Sequence, residues 1–133
     1  MDNLSYNQYC LYIVGIHRWI MQPFLKVSCP NNAGFVGYAK LAVFKANGDF
    51  AGEARVDCPT SPPENTTIKD ISAVTGAEAK TWRIEMSLTN NTTGHNAHQV
   101  FEGRYLHNQP NTTTGKASVT VDGVSFGGGT GWR

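Results

Sequence analysis

Charge is scarce in this chain. Asp, Glu, Lys and Arg make up 16% of its 133 residues, against roughly 25% in ordinary soluble domains, and the formal net charge is +1. There is no basic run, so nothing in it is patterned to follow a nucleic-acid backbone or an anionic bilayer. Long apolar runs are lacking too. The run from Leu11 to Met21 is broken by His17 and Arg18 and falls short of the ~20 residues that span a bilayer. Met1-Asp2-Asn3-Leu4-Ser5 offers no basic n-region, so the expectation is a soluble protein, cytoplasmic or released without a visible signal peptide.

The motifs of several enzyme classes are also missing. Neither Gly-x-Ser-x-Gly nor His-Glu-x-x-His occurs. Gly127-Gly128-Gly129 precedes too little chain to open the helix that a phosphate-binding loop needs. Heptads and solenoid-length repeats are absent. The chain is therefore expected to be no enzyme and to carry no metal or cofactor. Cysteine is sparse, with Cys10, Cys29 and Cys58 alone, and an odd count is not a disulfide framework. Cys29 and Cys58 each precede a proline at the end of an expected strand, so a bridge between them is one reading. Three buried thiols is the reading adopted.

What the chain has is Asn, Thr and Gly between short apolar stretches. The clearest stretch is residues 39–58. Asn47-Gly48 separates two alternating runs, the sequence signal of a two-residue type I′ hairpin whose central residues need φ > 0. That loop pairs Val43 with Gly52, Leu41 with Ala54 and Ala39 with Val56, an apolar face. Lys40, Arg55, Glu53 and Asp49 fall on the other face, with Phe44 as its apolar exception.

Further strands are expected over residues 9–16, a β-branched and aromatic run, and over 24–29. Others follow at 67–72, 82–88, where Trp82, Ile84, Met86 and Leu88 alternate with polar residues, 100–106, and 117–121. Residues 70–80 fit one short helix. Seven or eight short strands separated by turn clusters predict an all-β fold, an antiparallel β-sandwich. The expected organisation is a single domain over 1–133 with a flexible Gly-rich C-terminal tail.

The long polar connection 89–99 holds the candidate site. His95 and His98, with His107 beyond the next strand, have the residue type of a zinc set. Surface histidines in such a loop are more often unliganded, so no metal is expected. The same loop suits a sugar better. Sugars are neutral polyols, gripped by amide, imidazole and carboxylate groups and by an aromatic face against their C–H surface. Asn91, His95, Asn96 and His98 supply the polar groups, Asp49 lies beside the Asn47-Gly48 turn, and Trp132 is an aromatic on the Gly-rich tail. Glu102 and Arg104 share a strand face and are read as a cross-strand ladder with Arg83 and Glu85. Asn-x-Ser/Thr triplets at Asn3, Asn65, Asn90, Asn91 and Asn111 follow from composition and are given no weight.

The function expected is a lectin-like, non-enzymatic carbohydrate-binding module with a glycan ligand. A virion, fibre or tail assembly subunit forming a homo-oligomer is the first alternative. A small membrane-active β-protein, anchored by Tyr6, Tyr9, Tyr12 and Trp19, is the less favoured one.

Overall fold

The computed structural model describes residues 22–59, 66–105 and 113–132. These form eight strands: β1 (Pro23–Ser28), β2 (Phe35–Phe44), β3 (Phe50–Cys58), β4 (Thr66–Asp70), β5 (Thr81–Asn90), β6 (Asn96–Arg104), β7 (Thr113–Val121) and β8 (Val124–Trp132). They make two four-stranded antiparallel sheets, ordered β4-β1-β8-β7 and β3-β2-β5-β6. The fold is an all-β sandwich, as expected. The expected strand at 9–16, Trp19 and His107 lie outside the described residues.

Alternation builds the core. Leu25 and Val27 of β1 and Phe126 and Trp132 of β8 face Leu41 and Val43 of β2 and Ile84, Met86 and Leu88 of β5, all with 0% exposure. Each such side chain contributes about 1.5–3 kcal/mol by leaving water. Trp82 fills a slot between two strands of different sheets. A Cβ on Gly103 of β6 or Gly115 of β7 would collide with its ring, so only glycine lets the backbones close on the indole. The Trp82 Nε1–H has no acceptor among the described residues, so the slot is shaped for the ring rather than for its polar edge.

The β2–β3 register is the expected one: Ala39–Val56, Leu41–Ala54 and Val43–Gly52. The turn is not. Gly48 has φ 88°, but Asn47 is not among the residues with positive φ. Gly48 N–H donates to the Lys45 carbonyl and Lys45 N–H to the Asp49 carbonyl, both at 2.9 Å. The loop is therefore three residues, Ala46 to Gly48, with glycine in the left-handed region. The extra residue is absorbed by a bulge, for Phe44 pairs with Phe50 and Ala51 has no opposite number. The two-residue type I′ turn occurs instead at Asp122-Gly123, where φ is 50° and 79° and Val121 pairs with Val124.

That second hairpin overturns the expected flexible tail. Residues 124–132 are β8, hydrogen-bonded between β1 and β7. The expected helix near 70–80 is a pair of turns. Glu78 N–H and Ala79 N–H both reach the Thr75 carbonyl, and Lys80 N–H is already taken by Phe44 O at the end of the sheet. The reading of three buried thiols fails as well. Cys29 and Cys58 form a disulfide with Cα atoms 5.8 Å apart, joining the end of β1 to the end of β3 in the opposite sheet.

Candidate functional site

One end of the sandwich gathers the Asn- and His-bearing loop. It is shorter than expected, because β6 begins at Asn96, so Asn96 and His98 stand on a strand rather than in a loop. Asp122, held at φ 50° by the I′ turn, aims its carboxylate at this loop. It accepts from Asn90 Nδ2 at 2.8 Å and from the Thr93 hydroxyl at 2.9 Å, and meets His95 Nδ1 at 2.8 Å. These bonds, that of His95 foremost, hold the Asp122 carboxyl below the ordinary carboxylate range. Thr93 donates to Asp122 and not to the imidazole, so the hydroxyl is not poised as a nucleophile. The cluster is a latch between the two sheets, with the Asp122 carboxylate at its centre.

The outer face of the second sheet carries a polar ladder. Glu85 Oε2 accepts from the Tyr38 hydroxyl at 3.0 Å and lies 2.8 Å from His98 Nε2, while Lys40 Nζ is 3.7 Å from Oε1. His98 and then Tyr38 hold the Glu85 carboxyl below its usual range. Burial, then the same Glu85 bond, pushes the Tyr38 phenol up. Arg55 lies 4.2 Å above the Tyr38 ring and pairs with Asp57. Asn96 gives its amide to the Ser87 hydroxyl, the Leu88 carbonyl and the Thr89 hydroxyl.

The residues expected to form one site are thus dispersed. His95 and exposed Asn91 share one end, and Asn96 and His98 lie on the adjoining face. Asp49 is exposed in the β2–β3 turn at the other end, about 30 Å away along a ten-residue strand. Trp132 has 0% exposure and packs on Tyr105 with ring centroids 4.2 Å apart, so it belongs to the core and cannot meet a ligand.

A different set converges at Asp49's end of the outer face. Phe44, Thr81, Trp82, Arg83, Glu102, Gly103 and Arg104 line a depression of about 370 Å³. Phe50, 56% exposed, stands edge-on to Phe44 at 6.2 Å. Arg83 reaches over the Phe44 ring at 5.6 Å, although Glu102 is its register partner on β6. The groove therefore combines an aromatic surface with two planar cations and one carboxylate. A sign of it was readable in the sequence: Phe44 is the apolar exception on a polar face. Phe50 was not readable, because only the bulge turns it to that face. A trough on the opposite outer face, lined by Lys26, Ser28, Lys116 and glycines 127–129, has no aromatic side chain.

Among the described residues, no group of three or more His, Cys, Asp or Glu could hold a metal ion, and no helix is long and apolar enough to cross a membrane. No family model matches this chain, and neither does any curated protein or solved structure.

Proposed function

We propose that the protein is a carbohydrate-binding module, acting without catalysis, whose site is the groove on the outer face between Phe44 and Arg104. The observation that supports it is one depression lined by Phe44, Arg83, Glu102 and Arg104, with exposed Phe50 edge-on to Phe44 beside it. Aromatic faces pack against sugar C–H surfaces, and guanidinium and carboxylate groups donate and accept in fixed planes. The bulge adds to this reading. Straight pairing would set Phe50 against Lys45 on the other side of the sheet; the bulge places it beside Phe44. The low overall charge suits a neutral polyol ligand, and two arginines against one glutamate make the groove itself mildly cationic.

The test is a glycan-array screen of the labelled full chain, with and without EDTA. Binding to a coherent set of glycans, lost in Phe50→Ala and Arg104→Ala while thermal stability holds, is the expected result. A blank array overturns the reading. Binding that survives both substitutions moves the site elsewhere on the surface.

A further inference from the structure

Among the described residues four strands end a sheet, and three of them are blunted. β4 has only five residues and carries Lys69. β3 holds the bulge at Ala51. β7 has a register shift between Thr113 and Gly115 and then Lys116. Bulges, lysines and short length are the ordinary means by which a sheet edge avoids pairing with another chain. β6 has none of them. Its nine residues, Asn96 to Arg104, contain no lysine and no proline and keep an unbroken register with β5. Val100, at its centre, is 50% exposed.

We propose that β6 is a self-pairing edge: two copies of this chain join antiparallel along it, about a two-fold axis at Val100, to give one continuous sheet across the dimer. The sequence of the strand carries the argument, because it is complementary to its own reverse. About that axis Val100 faces Val100 of the partner subunit, His98 faces Glu102 of the partner subunit, and Asn96 faces Arg104 of the partner subunit. These residues all share the outer face. Isologous symmetry makes every pair twice except the one on the axis. Neighbouring registers lose the match. A centre at Gln99 sets Val100 against His98. A centre at Phe101 sets Val100 against Glu102 and brings His98 against Arg104. The His98 ring is already oriented, with Nε2 held 2.8 Å from Glu85, which leaves its Nδ1 side for the facing carboxylate. Glu102 and Arg104 also line the groove, so the pairing sets partner residues beside its β6 wall, but the joining does not rest on the glycan reading.

The experiment uses the full chain with Cys10→Ser, so that introduced thiols report alone. Light scattering at micromolar concentration is expected to give twice the 14.5 kDa chain mass. On mild oxidation Val100→Cys forms a covalent dimer, whereas Ser118→Cys, exposed on the outer face of the other sheet, does not. His98→Cys and Glu102→Cys each fail to cross-link alone and cross-link when mixed, which reads the register directly. Val100→Lys returns the monomer mass and still melts cooperatively, at a lower midpoint that no longer depends on protein concentration. A monomer at all concentrations, or a dimer in which position 100 cross-links no faster than position 118, overturns the proposal.

Discussion

His95 Nδ1 lies 2.8 Å from Asp122 Oδ1, and through this pair the loop after β5 is tied to the turn between β7 and β8. Asn90 and Thr93 complete the tie, which closes one end of the sandwich across its two sheets. The bonds lower the folded-state pKa of Asp122. The unfolded chain therefore takes up the proton first as the solution is acidified. The stabilisation is fully present above the ordinary Asp value of about 3.9 and is lost as pH falls through the lower folded value. Glu85 has the same sign through His98 and Tyr38. Wild-type urea midpoints should thus fall as pH drops below about 4. Asp122→Asn keeps a residue that tolerates φ > 0 and removes the titrating group, so its fall should be shallower. Equal slopes would show that the carboxylate is not coupled to folding.

Trp82 and its two glycines make a second prediction. A Cβ on Gly115 would sit 2.0 Å from Trp82 Cζ2, and one on Gly103 would sit 2.3 Å away. Gly115→Ala should cost about 1–3 kcal/mol, the range for overpacked cores. In a Trp82→Leu background the same change should cost much less, because the atom it strikes is gone. A double-mutant cycle by denaturant titration measures that coupling. Additive costs would mean that the glycine serves the backbone and not the ring.

Trp132→Ala should cost about 3–5 kcal/mol, as for a fully buried aromatic, and calorimetry would show it as a large drop in melting temperature. The expectation of a flexible tail carrying this residue fails for a physical reason. On β8 the outward positions 127, 129 and 131 are all glycine, and position 128, facing inward, is glycine too. A strand announces itself by side-chain alternation, and this one has few side chains to alternate. Its two neighbours supply the rest: β1 and β7 bracket it, and Thr130 donates to the Phe24 carbonyl while the Tyr105 hydroxyl bonds to Thr130 at 2.9 Å. By contrast β2, β3 and β5 were legible because each alternates cleanly, and alternation is what burial selects. The site was legible in part. Asn96, His95 and His98 have the chemistry of ligand contacts, yet their partners within the fold come from strands distant in sequence. No local pattern shows that Asp122 and Glu85 wait for two of them.

The disulfide closes a loop between residues 29 apart in sequence. The chain-entropy relation for a loop of that length gives roughly 3–4 kcal/mol of stabilisation. Reductant should lower the urea midpoint accordingly. Alkylation in denaturant should label one cysteine per chain before reduction and three after it, since Cys10 alone lies outside the bridge. Three labelled thiols without reductant would exclude the bridge.

The β2–β3 hairpin allows the origin of its register to be tested by deletion. Two influences act on it, the loop and the apolar face, and in the native chain they disagree by one residue. The three-residue loop sets Lys45 against Asp49, while the buried face sets Val43 against Gly52. The bulge at Ala51 reconciles them. If the face is dominant, removing Ala51 should be tolerated. Gly52 and Phe50 would then become neighbours, both existing pairings would survive, and the cost should stay within the ordinary range of about 0.5–3 kcal/mol. Removing Ala54 shortens the strand by the same amount but shifts one part of the hairpin against the other. It turns either Val56 or Gly52 to the wrong side of the sheet, and that chain should not fold. Circular dichroism melts of the two deletions separate the cases. Comparable losses in both would mean that the loop, and not the buried face, holds the strands in register.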